Sequence, residues 1–256
     1  TSASAGDSTG IFSKVDREYA DALDIIGVHS YEAGYPSLDK FDEGISQYAN
    51  PPEILQEKDK WQTEYCVGDR VETGKNFEMN TAQKEFKILS ADIGWGGNNV
   101  WYHWAGYYSY YIPLADRVTE VSHAPKDGEI QFVTMTLGYG VGVEYYKNKT
   151  YDMLQMIFKN VPAGSVVKRV TLSDNCPEIV NECKHLTDVV AFENGNSSIV
   201  ALTNDSEEDL SFEYSNLKGT TAKCYAIVNG ISSIADIGTK KVVDGKVKVV
   251  IPKDSI

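Results

Sequence analysis

Three strand-like runs, each ending in polar or aromatic groups and separated by helix-compatible stretches, constrain this chain more than any other feature. Asp24-Ile25-Ile26-Gly27-Val28-His29-Ser30-Tyr31 reads as a buried parallel strand whose carboxyl end opens into a site. A short helix is expected before it, over Asp16 to Leu23. Pro51 and Pro52 punctuate the next connection, and Lys60 to Cys66 then reads as a second strand ending in Thr63-Glu64-Tyr65. From Thr81 onward, Ala82, Phe86, Leu89 and Ile93 fall on one helical face, and Gly94, Gly96 and Gly97 end that helix. Asn98 to Tyr111 predicts a third strand crowded with aromatics: Trp101, Tyr102, Trp104, Tyr107, Tyr108, Tyr110 and Tyr111. Strand–helix–strand order of this kind implies an α/β arrangement around a parallel sheet.

The texture then changes. Tyr151 to Val161 predicts a helix with Leu154, Ile157, Phe158 and Val161 on one side, ended by Pro162-Ala163-Gly164. Short strands with turn signals follow: 166–172, 188–192, a turn at Asn194-Gly195-Asn196, 198–202, 210–214 and 222–228. A hairpin of 241–243 and 246–251 is expected around Asp244-Gly245. This reads as an antiparallel β-sandwich, with the boundary near residue 162.

Charge and cysteine content narrow the function. The 256 residues carry a formal net charge of −13, which repels phosphate backbones and anionic membranes but is indifferent to neutral sugars. No apolar run approaches the roughly 20 residues a membrane-spanning helix needs. Cys66, Cys176, Cys183 and Cys224 form no C-x-x-C pair, and no histidine stands at metal-ligand spacing, so neither metal nor cofactor is expected. Cys176 and Cys183 bracket a short segment that a local disulfide could close in an exported protein, and N-x-S/T triplets begin at Asn148, Asn196 and Asn204. The expectation is a secreted protein. The chain opens Thr1-Ser2-Ala3-Ser4 with neither Met nor a leader, as a processed or truncated product would.

Clefts in parallel α/β sheets form at the carboxyl ends of the strands. The three runs deliver His29 and Tyr31, then Glu64 and Tyr65, then Trp101 and Trp104 to that end. A carboxylate that attacks or stabilises an oxocarbenium-like centre, hydroxyl partners and stacked aromatics suit a glycosidase. Each residue alone has a plainer reading: Glu64 as a surface or salt-bridged carboxylate, His29 as a satisfied structural histidine, the tryptophans as core. Their coincidence on three successive strand ends favours a site.

With those residues in view, the sequence from about residue 16 onward resembles glycoside hydrolase family 30, retaining enzymes related to acid β-glucosidases and β-xylanases. Ile25 to Tyr31 looks like the sixth strand of that family's (β/α)8 barrel, Trp61 to Gly68 like the seventh, and Asn99 to Trp104 like the eighth with its W-x-x-W. The stretch from Tyr146 through Tyr151-Asp152-Met153-Leu154 to Arg169-Val170 is similar to the exit from barrel to sandwich. The resemblance implies the last three strands of a barrel over 1–162 and a β-sandwich over 163–256. It implies Glu64 as nucleophile, Trp104 as the aromatic floor of the sugar site, and His29 and Tyr31 as hydrogen-bonding neighbours; Tyr65 and Trp101 are expected to complete the substrate contacts.

The departures from the family pattern set the remaining expectations. The family takes its acid/base Glu from an Asn-Glu pair ending the fourth strand, whereas Asn181-Glu182, the one Asn-Glu here, lies between two cysteines in the sandwich half. Glu32 is the nearest stand-in by sequence, though a loop carboxylate is its plainer identity. Three strands cannot close a barrel. The expected partners are therefore a carbohydrate substrate and the N-terminal half of the same enzyme; the alternative is a non-catalytic carbohydrate-binding or scaffold fragment.

Overall fold

The computed structural model describes residues 12, 14–30, 49–65, 77–103, 108–111, 133–138, 142–147, 149–173, 187–231 and 233–256. Helix α1 (Arg17–Asp21) is started by Asp16, whose carboxylate accepts the Tyr19 backbone N–H at 3.0 Å. Three strands then form a parallel sheet in the order β1 (Ile25–Val28), β2 (Asp59–Tyr65), β3 (Val100–His103). Helix α2 (Phe77–Gly94) connects β2 to β3 and covers one face of that sheet, with Met79, Phe86, Ile88 and Leu89 fully buried. Each such side chain contributes roughly 1.5–3 kcal/mol through burial. The helix stops where Trp95 and Gly96 both donate to the Ala91 carbonyl and Gly97 takes a φ of 71°, a conformation that suits glycine.

The predicted strand over Asn98 to Tyr111 is two strands in two sheets. β3 ends at His103, and β4 (Tyr108–Tyr111) pairs in parallel with β5 (Val133–Gly138), which pairs antiparallel with β6 (Gly142–Lys147). Helix α3 (Lys149–Asn160) buries Met153, Leu154 and Ile157, but Phe158, expected on that stripe, is 57% exposed.

Three antiparallel groupings follow. β7 (Val166–Lys168), β8 (Val189–Asn194) and β9 (Ser197–Leu202) form one sheet. β10 (Leu210–Tyr214) pairs with β13 (Val247–Ile251), and β11 (Thr221–Ala226) with β12 (Ala235–Lys241). The hairpin expected around Asp244-Gly245 is therefore only a tight turn. Both residues take positive φ and Val243 bridges Lys246, but the arms part at once, β12 toward β11 and β13 toward β10. Burial of Val242, Val247 and Val249 beside Tyr214 and Leu217 accounts for the parting, because hydrophobic contact outweighs continuation of a two-stranded ladder.

Among the described residues strands prevail over helices, and one apolar core joins the two halves of the chain. Ile26, Val28, Tyr65, Phe86, Leu89, Trp101, Leu154, Val190, Phe192, Ile227 and Ile256 belong to a single buried cluster. Helix α2 lies at its centre. The side of α2 turned from the parallel sheet reaches the later strands through Ser90 Oγ donating to the Val189 carbonyl (3.0 Å) and Gln83 Nε2 to that of Asn204 (3.2 Å). Lys87 Nζ lies 3.0 Å from Asp188 and 2.7 Å from Asp205. Buried polar side chains on a helix are costly unless they find partners, as Ser90, Gln83 and Lys87 do here.

Candidate active site

Strand alternation decides which side chains share a face, and α2 provides the reference. Ser30 Oγ donates to Asp92 Oδ1 (2.6 Å), and Gln62 Nε2 (3.1 Å) and Trp101 Nε1 (3.0 Å) donate to Asp92 Oδ2. His103 Nε2 lies 2.8 Å from Glu85 of the same helix. Ser30, Gln62, Trp101 and His103 therefore face α2. His29 stands between Val28 and Ser30, so its ring projects to the opposite face of the sheet, open among the described residues.

Glu64 would share the α2 side with Gln62 if β2 were regular. It does not, because the register slips. Gln62 pairs with Trp101 and Tyr65 with His103, so Thr63 and Glu64 together oppose Tyr102 alone. Two residues against one is a β-bulge, rare in parallel pairs and frequent beside active sites, where it re-aims a side chain. The extra residue returns Tyr65 to the α2 side and leaves Thr63 and Glu64 on the open face with His29. The Glu64 backbone N–H donates to Gln62 Oε1 at 3.3 Å, spanning the bulge.

Electrostatics agrees with this placement. Burial lowers the His29 pKa below the usual imidazole value, and the Glu64 carboxylate, pulling upward, offsets only part of that. His29 is thus held neutral at neutral pH beside a carboxylate, able to donate one N–H and accept at its other nitrogen.

The expected sugar contacts divide. Glu64 and His29, both partly buried, come together on the open face. Tyr65 and Trp101, 2% and 8% exposed, do not join them: they lie on the α2 side with ring centroids 6.2 Å apart. The cause is the bulge for Tyr65 and the bond to Asp92 for Trp101. Tyr31 and Trp104 lie outside the described residues, as do Glu32, Cys66, Cys176, Cys183 and Asn181-Glu182. Cys224 is free.

Two aromatics escape the sequence reading. Trp61, by alternation from Gln62, and Tyr102, from Trp101, take the open face with ring centroids 6.3 Å apart, and Tyr102 is 51% exposed. Counting parity from Gln62 finds Trp61, but the two residues opposite Tyr102 carry no sequence signal. Among the described residues no group of three or more His, Cys, Asp or Glu could hold a metal ion, and no helix is long and apolar enough to cross a membrane.

No protein-family model matches the chain, and no curated protein does. Solved structures do. A GH30 endoxylanase from Clostridium papyrosolvens C71 superposes with a TM-score of 0.58 at 17% identity, over 94% of this chain and 49% of its own. A conserved exported protein from Bacteroides fragilis gives a TM-score of 0.63 at 13% identity, over 91% and 45% respectively. The catalytic domain of GH30 xylanase C from Talaromyces cellulolyticus gives 0.57 at 16%, over 98% and 48%. The chain spans about half the length of these neighbours, and the likeness is one of fold.

Proposed function

We propose that this chain carries the nucleophile of a retaining β-glycosidase acting on β-linked glycans or glycosides, with Glu64 as that nucleophile. The observation that carries the reading is the bulge, which sets Glu64 beside His29 on the open face at the carboxyl ends of adjacent parallel strands. In this reading residues 1–162 supply the last three strands of a (β/α)8 barrel and 163–256 a β-sandwich, in a secreted protein. The GH30 neighbours support it at the level of fold.

Retention needs two carboxyls roughly 5–5.5 Å apart. Glu64 attacks the anomeric carbon while the second carboxyl protonates the departing glycosidic oxygen. Water, deprotonated by that same carboxyl, then cleaves the glycosyl–Glu64 ester. The second carboxyl comes from outside the described residues, either another part of a longer protein or an assembling partner. Neutral His29 holds the Glu64 carboxylate and a sugar hydroxyl without adding charge. Trp104 and Tyr31 would complete the sugar contacts, Trp61 and Tyr102 extend the aromatic surface, and Tyr65 and Trp101 support the strands from behind.

Azide rescue tests the assignment. In the full open reading frame, Glu64→Ala abolishes hydrolysis of 2,4-dinitrophenyl β-glycosides, and azide restores turnover with α-glycosyl azide as product. Hydrolysis undiminished in Glu64→Ala would overturn the reading. Sugar binding that persists in both proteins, with no turnover in either, would favour a carbohydrate-binding role.

A further inference from the structure

We propose that Asp92, through Gln62, fixes the bulge in β2 and so holds Glu64 on the face it shares with His29, making Gln62 and Asp92 positioning residues for Glu64. The inference rests on the reading of Glu64 as nucleophile for its functional meaning, but its geometry stands on separate observations.

The first is the convergence on one carboxylate. Asp92 accepts from a residue on the line of each strand in the sheet: Ser30 just after β1, Gln62 within β2 and Trp101 within β3. Ser30, Gln62 and Asp92 are fully buried. Gln62 Nε2 also donates to Ser30 Oγ. Its amide then faces both ways, donating through Nε2 to Ser30 and Asp92 and accepting the Glu64 N–H at Oε1. A regular parallel ladder would give that N–H a neighbouring strand carbonyl; in the bulge the Gln62 side chain takes it instead.

The second observation is where Asp92 stands. It occupies the last turn of α2, a turn without a basic residue, where the helix dipole opposes a negative charge. Burying a carboxylate there costs free energy unless several donors meet it. Three side-chain donors do. Their orientation is thereby set together, since charge-assisted hydrogen bonds are both shorter and more directional than neutral ones. Asn98 pins the same turn, donating through its backbone N–H (3.0 Å) and Nδ2 (3.2 Å) to the Asp92 carbonyl. An apolar residue at position 92 would leave the Gln62 amide free to rotate, and the bulge with it.

The test uses the full chain and does not require turnover. The Glu64 charge raises the His29 pKa, so ¹⁵N-detected titration of His29 reports whether the carboxylate is in place. Glu64→Gln gives the reference drop. Gln62→Met keeps the volume but removes both amide functions; it is expected to lower the His29 pKa by more than half of that drop, with little further change in the Gln62→Met/Glu64→Gln double variant. Trp101→Phe, which removes one donor to Asp92 and keeps a ring, serves if Gln62→Met does not fold, with a smaller drop of the same sign expected. A folded Gln62→Met, or in its place a folded Trp101→Phe, with the wild-type His29 pKa would overturn the proposal. In the full open reading frame the same displacement lowers kcat with KM little changed. If the His29 shifts appear while Glu64→Ala leaves hydrolysis intact, the positioning holds and the assignment of Glu64 as nucleophile fails.

Discussion

Lys87 is a buried charge whose removal the fold should tolerate poorly. Its ammonium is 6% exposed and lies 3.0 Å from Asp188, itself 2% exposed, and 2.7 Å from Asp205, which is 48% exposed. Burial alone would lower the Lys87 pKa, but Asp188 and Asp205 together outweigh it and hold the group above its ordinary value. Asp188 fares differently: burial raises its carboxyl above the usual range, and Lys87, opposed by the like charge of Asp205, recovers only part. The two directions are consistent, because Lys87 has two carboxylates and Asp188 a single ammonium. Lys87→Met leaves Asp188 buried without its counter-ion, a loss of about 3–5 kcal/mol for a broken buried pair. The half-exposed Asp205 adds under about 1 kcal/mol. With a urea m-value of about 3 kcal/mol/M, the unfolding midpoint should fall by roughly 1–2 M. The sign with pH follows from the shifts. A raised lysine pKa gives stabilisation that is complete below the ordinary lysine value and lost only as pH climbs through the raised one. In the variant, protonation of Asp188 relieves the penalty as pH falls, so the gap to wild type is widest near neutrality and narrows under acid. A midpoint change below about 0.3 M, or a gap that ignores pH, would refute this reasoning.

Other perturbations have equally definite outcomes. Asp92→Ala removes the acceptor shared by Ser30, Gln62 and Trp101; Gln62 keeps its bond to Ser30, so two buried donors go unsatisfied, and at about 1–3 kcal/mol for each a loss of at least about 2 kcal/mol is expected in a denaturant melt. Gly97→Ala forces a side chain onto a φ of 71° and brings its Cβ to 3.1 Å from the movable end of Lys60, so a loss of about 1–2 kcal/mol should appear as a lower Tm. Because the folded pKa of His29 is depressed, stability should decline as pH falls below the ordinary imidazole value of about 6.5, and His29→Gln should flatten that part of the profile. Tyr102→Ala, at an exposed ring, should leave the Tm unchanged while weakening binding of β-linked oligosaccharides in calorimetry.

The parallel strands, α2 and α3 were legible because apolar periodicity and glycine stops are local signals. Leu210 to Tyr214 even matches its strand end to end. The prominence of Glu64 was legible too, since it stands near the carboxyl end of a predicted strand. Which way it faces was not. The bulge over Thr63 and Glu64 contains no glycine, and its cause, Asp92, lies in the next helix, so no window along β2 contains both. The same nonlocality moved Tyr65 and Trp101 behind the sheet and hid Trp61 and Tyr102 in front of it. Asp244-Gly245 carried a strong hairpin signal that packing of Val247 and Val249 overrode.

Covalent trapping tests the central claim most directly. The full open reading frame is incubated with 2,4-dinitrophenyl 2-deoxy-2-fluoro-β-glycosides of glucose, xylose, galactose and fucose, whose activated leaving group needs little acid assistance. Peptide mass mapping then locates the label. The prediction is one fluoroglycosyl adduct from at least one of these sugars, on the peptide containing Glu64, and none in Glu64→Gln. A label on a different carboxylate, or no label from any of the four, would contradict the assignment of Glu64 as nucleophile.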